Sequence, residues 1–132
     1  MKEKVKIAID LMGAENSPDK NLEGVNIFIK RNKFKNDYFF YFFGNKEVIN
    51  NKIKQYSSLK NNYKIFDTKI VVSDELSAMS AIKKGKGSSM WESIQAQIDQ
   101  DADVTLSAGN TGVLLVMSKM ILKTLEMLIS PL

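Results

Sequence analysis

The sequence predicts an α/β domain in which a mostly parallel sheet is covered by helices on both faces. Short apolar runs that suit buried strands alternate along the 132 residues with segments whose apolar residues recur at helical spacing. This alternation is typical of strand–helix–strand units, in which neighbouring strands run parallel and the connecting helices cover the sheet. A hydrophobic content of 44% can supply one core, so we expect a single three-layer domain.

The first strand and helix are predicted near the start of the chain. The run from Lys4 to Ile9 begins as an alternation and becomes wholly apolar, which is typical of a buried strand. Ser17 is then expected to be the N-cap of a helix with Pro18 at its first position, because proline lacks an N–H that this position does not need. Apolar residues recur at helical spacing from Leu22, which extends the helix to about Lys33.

An aromatic run from Tyr38 to Phe43 predicts the second strand. Aromatic residues favour strands, and we expect alternate rings to lie in the core under helices rather than to stack on bases. Gly44 ends this strand. Asn45 is expected to cap the second helix, whose apolar residues are Val48, Ile49, Ile53 and Leu59.

The second half of the chain continues the alternation. A strand region is predicted over 63–72, with an interruption near Asp67, and a short strand over 104–107. Three helices accompany these strands: one over 79–84, one that begins at Ser88 or Ser89, and a long one that begins after Gly109.

The most apolar stretch of the chain, 113–129, is predicted to be a buried helix. Three charged residues interrupt it, namely Lys119, Lys123 and Glu126. A membrane span needs about 20 largely uncharged residues, so this stretch is not expected to be one. No targeting segment is recognisable, and we expect a cytoplasmic protein.

Residue types that are absent exclude several classes of site. The chain has no cysteine and no histidine, so thiolate nucleophiles, zinc–thiolate sites and Ser–His pairs cannot be built from it. No Gly-x-Gly-x-x-Gly pattern follows the first strand, which disfavours a dinucleotide. We expect no metal and no other cofactor. Arg31 is the only arginine among 19 basic residues, so the net charge of +4 indicates a solvated lysine surface rather than a nucleic-acid site.

Two segments stand where predicted strands end. Residues 9–18 follow the first strand, and the segment from Ser107 to Gly112 follows the strand over 104–107. In the second segment small residues permit close approach of a ligand, and the free N–H groups of the next helix favour an anion. A plain helix cap explains this pattern slightly better on the residues alone. For Asp10, a turn carboxylate bonded to nearby N–H groups is the simpler interpretation.

A third segment, 83–90, combines three lysines, two glycines and the start of a helix. Positive charge beside a helix N-terminus favours phosphate. By itself, however, the pattern is better explained as an exposed flexible loop with a serine cap. It is not a P-loop, because the fixed glycine spacing before Gly-Lys-Ser/Thr is missing.

Together, these three segments resemble the PlsX family of phosphate acyltransferases, which act in fatty acid and phospholipid synthesis. The family's opening Ile-Asp-Ala-Met-Gly-Gly-Asp is similar to 9–15, and its Lys-Asp-Ser-Ser-Met is similar to 86–90. Its Ser-Ala-Gly-Asn-Thr-Gly is matched in full by 107–112. Departures from these motifs include Ala14 and Glu15, which replace glycine and aspartate, and Gly87, which replaces aspartate.

The resemblance implies part of an isocitrate/isopropylmalate dehydrogenase-like fold and a homodimer when full length. The family continues through a second, longer part, so residues 1–132 are expected to be its truncated N-terminal portion. Much of the cleft that holds the family's active site would then be missing, and we expect the fragment alone to be inactive and prone to association.

The function implied is transfer of a fatty acyl group from acylated acyl carrier protein to inorganic phosphate, which gives an acyl phosphate for phospholipid synthesis. Asn110 and Thr111 are the expected catalytic donors. The expected substrate-binding residues are Asp10, Gly13, Lys86, Ser88, Ser89, Ser107, Gly109 and Gly112. Peripheral membrane association through a downstream acyltransferase is a further implied possibility.

Two alternatives stay open. One is a phosphate acetyl- or butyryltransferase-like enzyme that uses acyl-coenzyme A. The other is a non-catalytic truncated remnant that only binds phosphate or self-associates, since the apolar stretch 113–129 would lack its normal cover.

Overall fold

A computed structural model of the protein describes residues 4–31, 37–73 and 77–123. These residues form four strands and five helices: β1 (Val5–Asp10), α1 (Asp19–Arg31), β2 (Tyr38–Gly44), α2 (Lys46–Ile53), β3 (Tyr63–Asp67), α3 (Ala78–Gly85), α4 (Ser89–Asp99), β4 (Val104–Ser107) and α5 (Thr111–Leu122). All strand pairs are parallel, and the order across the sheet is β3-β2-β1-β4. The predicted α/β class with a parallel sheet is confirmed.

One face of the sheet is covered by α1 and α2. Successive residues of a strand point to opposite faces, and those of β1 and β2 that point to this face are Ile7, Ile9, Phe40 and Phe42. They pack against the buried residues of the two helices, which are Leu22, Val25, Ile29, Ile49 and Ile53. The expectation that alternate rings of the aromatic run lie in the core is confirmed, since Phe40 and Phe42 are almost fully buried.

Helix α4 covers the opposite face. Ala8 of β1 and Phe43 of β2 pack there with Ala96 of α4, so small residues let the helix lie close to the sheet. A separate apolar cluster joins α3, α4 and α5 through Ala81, Met90, Ile94, Val113 and Met117. Helices therefore lie on both faces, as the sequence predicts.

The order of the sheet reverses at β1. The chain moves from β1 through α1 to β2 on one side, and returns from β3 through α3 and α4 to β4 on the other side. Ligands of such sheets bind in the crevice outside the carboxyl ends of the strands at this point. In this protein the crevice lies where Asp10 ends β1 and Ser107 ends β4.

Helix α1 begins later than the sequence predicts. Ser17 does not cap it, because its hydroxyl accepts a hydrogen bond of 2.9 Å from the N–H of Ala14 and closes the loop after β1. The first helical residue is Asp19. The carbonyl of Pro18 accepts the first helical bond, from the N–H of Leu22, at 2.9 Å. The expected N-cap at Ser17 is therefore wrong.

Helix α2 ends earlier than its apolar pattern suggests. Its last residue is Ile53, and two turns follow, in which Tyr56 donates to Ile53 and Leu59 donates to Tyr56. Leu59 is still buried, at 5% exposure, because the turns return it to the core beside α2. An apolar residue at this position would reach the core either from a further helical turn or from a chain that folds back, so its spacing alone does not fix the end of the helix. Lys33, the predicted end of the first helix, lies outside the described residues.

Helix α5 is apolar but is buried on one side only. Val113 and Met117 are fully buried, whereas Leu115 and Met120 are 69% and 50% exposed. The prediction of a buried helix over 113–129 is thus wrong for the described part, because no other described element covers its outer side. Within the described ranges, no helix has the length and apolar character required to cross a bilayer.

Candidate functional site at the ends of β1 and β4

The carboxyl ends of β1 and β4 are joined by a partly buried hydrogen bond. Asp10 and Ser107 are register partners of the two strands. The Ser107 hydroxyl donates to Asp10 Oδ2 at 2.8 Å, and the N–H of Met12 donates to Asp10 Oδ1 at 3.1 Å. Asp10 is only 1% exposed. Its carboxylate therefore holds the loop after β1 against the end of β4, in agreement with the simpler interpretation of it as a turn carboxylate.

The two loops that leave these strands touch through glycines. A Cβ on Gly13 would lie 2.5 Å from Asp10 Oδ2 and 3.1 Å from the Cα of Gly109. A Cβ on Gly109 would lie 3.0 Å from the Gly13 carbonyl oxygen and 2.8 Å from the Met90 side chain. Only glycine permits so close an approach at both positions. The sequence-predicted residues Asp10, Gly13, Ser107 and Gly109 are thus brought together in one corner.

Helix α5 starts directly from this corner. The N–H of Gly109 donates to the Ser107 hydroxyl at 3.1 Å, which ties the turn before the helix to the Asp10 network. Asn110 is the N-cap, and its side-chain oxygen accepts a bond of 3.2 Å from the N–H of Val113. The Asn110 side-chain oxygen therefore acts as a helix cap, as the simpler interpretation of this segment predicts.

Two N–H groups of the first turn of α5 are available to a ligand. A helix leaves its first N–H groups without partners inside the helix. Asn110 occupies that of Val113, and no acceptor for those of Thr111 and Gly112 is found among residues 4–31, 37–73 and 77–123. Both residues are exposed. Together with the positive end of the helix dipole, these groups favour an anion.

The third predicted segment is less open than its sequence suggests. Lys86 is exposed at the end of α3, but Ser88 and Ser89 are 0% and 1% exposed. Ser88 caps α4 through a bond of 3.1 Å from the N–H of Trp91. The expected serine cap is confirmed. The expected exposed loop is exposed only at its lysines, because Ser88 pairs with Ile70 and Ser89 donates to the Ile70 carbonyl. The hydroxyl of Ser89 has no hydrogen-bond partner in the described parts of the chain.

The start of α4 still reaches the corner through its next residue. The Met90 side chain ends 2.8 Å from the position that a Cβ of Gly109 would occupy. Contact between the two predicted segments is therefore made by an apolar side chain, and Lys86, Ser88 and Ser89 stay predictions as phosphate contacts.

A cavity of about 440 Å³ opens beside the corner, between α1 and the sheet. Asp10, Ser107 and Ala108 line one end of it. Helix α1 contributes Asn21, whose side-chain amide donates to the carbonyl of Leu11 at 3.0 Å and anchors the helix to the loop. Sequence reasoning missed the α1 side of this cavity. The available signal was Gly24, an isolated glycine inside a helix, where glycine is unfavourable.

A second, smaller cavity of about 270 Å³ lies at the ends of β2 and β3 and is lined by Phe43, Phe66, Asp67, Thr68, Gly87 and Glu92. Burial raises the pKa of Glu92 above its ordinary value, and the nearby Asp99 charge adds to the rise. The Thr68 hydroxyl is buried without a partner among the described residues. No pattern in the sequence predicts that these six residues line a common cavity.

Comparison with known proteins places this geometry in a family context. The model of a family described as "Fatty acid synthesis protein" matches residues 5–131. A phosphate acyltransferase from Pelagibacter ubique is 41% identical over 127 residues, which cover 96% of this chain and 37% of the relative. Phosphate acyltransferases from Rhodopseudomonas palustris (strain BisB18) and Agrobacterium fabrum are 36% and 35% identical, over 95% and 92% of the chain. The chain spans little more than a third of the length of these relatives.

Proposed function

Because the chain belongs to the fatty acid synthesis protein family, we propose that it forms the anion-holding corner of a phosphate acyltransferase. The proposed reaction transfers a fatty acyl group from acyl carrier protein to inorganic phosphate. The observation that carries this proposal is the bond between Asp10 and Ser107, because Ser107 also holds the turn from which α5 starts at the carboxyl ends of β1 and β4.

The proposed chemistry needs no nucleophile from the protein. An oxygen of hydrogen phosphate attacks the thioester carbonyl carbon, a C–O bond forms, and the C–S bond breaks. The proton of hydrogen phosphate ends on the sulfur, so the products are an acyl phosphate and the carrier protein thiol. The protein has to position the anion and stabilise the developing oxyanion, tasks that hydrogen-bond donors perform.

The donors that we assign are the N–H groups of Thr111 and Gly112. Asn110 sets their direction, since it caps α5 through the N–H of Val113. Asp10 and Ser107 hold the corner together through their hydrogen bonds. We do not assign them to the substrate, because their oxygens already bond to the protein. Lys86 remains a candidate for long-range attraction of phosphate.

The assignment is tested in a chimera in which this chain replaces the matching segment of the Pelagibacter ubique relative. With the unsubstituted chimera as reference, Asn110→Ala removes the cap that directs these N–H groups and is expected to lower acyl phosphate formation about tenfold, since the loss of an N-cap costs about 0.5–2 kcal/mol. A rate equal to that of the reference would remove Asn110 from the mechanism. Parallel assays with acyl carrier protein and coenzyme A thioesters distinguish the two classes of donor.

A second subunit is the other partner that we propose. Two large apolar side chains of α5, Leu115 and Met120, are at least half exposed. Exposed apolar surface of this kind marks interaction sites. These features favour self-association of the chain, which is also the alternative role expected of a non-catalytic remnant.

A further inference from the structure

A third cavity, of about 360 Å³, lies at the edge of the sheet opposite the corner. The strands pair in parallel, so their amino ends share this edge. Its walls are Lys4 just before β1, Ile29 near the end of α1, and residues 57, 58 and 60–62 of the loop before β3. The volume lies in the range of roughly 300–1,000 Å³ that is usual for small-molecule sites.

The cavity carries positive charge without a counter-charge. Lys4 and Lys60 contribute two ammonium groups, and neither forms an ion pair within residues 4–31, 37–73 and 77–123. No described carboxylate lines the cavity, and Ile29 is the one apolar residue among the described residues that do. Hydrogen bonds from an ammonium group to an anion are roughly twice as strong as neutral ones. The lining therefore favours an anionic ligand.

The Ser58 hydroxyl at the wall of this cavity can only accept a hydrogen bond from a ligand. It donates its proton to Oδ1 of Asn26, a residue of α1 that is 9% exposed. A serine oxygen whose proton is donated keeps its lone pairs as acceptors. A ligand that contacts Ser58 must therefore bring a donor.

Asn62 supplies a second acceptor. Its backbone carbonyl accepts the N–H of Phe40 at 2.9 Å, which ties the loop to β2. Its side-chain amide donates to the Ser58 carbonyl at 3.4 Å, but its Oδ1 is buried without a partner among the described residues. A buried acceptor without a donor is destabilising, and a hydroxyl group that enters from the cavity would satisfy it.

We propose that this cavity, the amino-end pocket, binds a small phosphorylated polyol, whose phosphate pairs with Lys4 and Lys60 and whose hydroxyl groups donate to Ser58 and Asn62. Inorganic phosphate fills little of the pocket, and an uncharged polyol leaves both ammonium groups without a counter-charge. The pocket lies at the opposite edge of the sheet from Thr111 and Gly112, so the proposal does not depend on the function proposed for the corner.

The probe that tests the pocket is mannitol 1-phosphate, with inorganic phosphate and mannitol as its two parts. In NMR titrations of the 132-residue chain, we expect mannitol 1-phosphate to shift the amide signals of Asn61 and Asn62 saturably. Inorganic phosphate should bind there about tenfold more weakly, since it lacks the groups that donate to the two acceptors, and mannitol should cause no shift. Unmoved signals would overturn the proposal. Equal affinities for phosphate and mannitol 1-phosphate would show a general anion site and would also overturn it.

Two variants separate the roles of charge and acceptor. Lys60→Gln should weaken mannitol 1-phosphate binding about tenfold, because it removes one of two charged donors. Lys54→Gln is the matched control, since Lys54 is also exposed but does not line the pocket. Asn62→Ala should weaken mannitol 1-phosphate binding and leave phosphate binding at Asn61 unchanged. Equal affinity of the wild type and Lys60→Gln would overturn the proposal, whereas the signals of Thr111 and Gly112 report on the corner independently.

Discussion

The Ser107 hydroxyl donates a 2.8 Å hydrogen bond to the buried carboxylate of Asp10 across a separation of 97 residues. The same hydroxyl accepts the N–H of Gly109 at 3.1 Å, so one serine links β1, β4 and the turn that starts α5. This arrangement sets the direction in which the first turn of α5 presents its N–H groups. The corner is therefore a consequence of sheet topology and not of one local motif.

Removal of this link should destabilise the fold. Ser107→Ala leaves the Asp10 carboxylate with one donor fewer and the Gly109 N–H without its acceptor. Unpaired buried groups cost about 1–3 kcal/mol each, so we expect the free energy of unfolding to fall by about that amount. Urea denaturation measures it. The control Ser57→Ala removes an exposed hydroxyl and should change little; equal stability of the two variants would contradict the structural role of Ser107.

Two glycine substitutions should change the free energy of unfolding in opposite directions. Gly13→Ala puts a Cβ 2.5 Å from Asp10 Oδ2 and 3.1 Å from the Cα of Gly109, so the Asp10 carboxylate and the facing loop must both shift, which should lower the free energy of unfolding by about 1–3 kcal/mol. Gly24→Ala adds a methyl in open space inside a helix and should raise it by roughly 0.5–1 kcal/mol. Thermal unfolding of both variants checks the pair. Equal melting temperatures would show that the two loops do not need to touch.

Glu92 should make stability depend on pH. Its pKa is raised from the ordinary value of 4.5, mainly by burial and further by Asp99. The folded state thus disfavours the charged form, so stability falls as pH rises from 4.5 through the raised pKa. Glu92→Gln should be more stable than wild type at pH 7, and the difference should vanish below pH 4.5. Melting temperatures across this range, with exposed Glu23→Gln as the control for a lost charge, decide the matter; a difference that is independent of pH would contradict it.

The exposed side of α5 should drive association of the chain. Leu115→Glu introduces a charge at a side chain that is 69% exposed, and should shift sedimentation toward the monomer. Met79→Glu is the matched control on α3, since Met79 is 72% exposed. An equal mass distribution for both variants and the wild type would remove α5 as an interface.

Local signals in the sequence predicted much of the fold. The caps Asn45, Ser88 and Asn110 follow from residue type and position, and the strands follow from apolar runs. The N-cap predicted at Ser17 is wrong, because the Ser17 hydroxyl bonds to the loop after β1 and not to the helix that follows it. Leu59 shows the same limit, since spacing alone does not distinguish one more helical turn from a chain that folds back.

Long-range contacts could not be predicted in the same way. The bond from Ser107 to Asp10 and the contact of Gly13 with Gly109 depend on β4 pairing with β1, which no local pattern specifies. The burial of Ser89 has the same origin, because its N–H is bonded to the carbonyl of Ile70 in a distant segment. The family resemblance identified the segments that form the site, but only the pairing of the strands shows how these segments lie relative to one another.

The central claim, that the first turn of α5 holds phosphate, is tested most directly by NMR titration of the chain with inorganic phosphate. The amide signals of Thr111 and Gly112 should shift saturably. That of Lys46, which stands at the start of α2 but donates to Asp67 at 3.0 Å, should not move. Absence of any shift at Thr111 and Gly112, or an equal shift at Lys46, would contradict the claim.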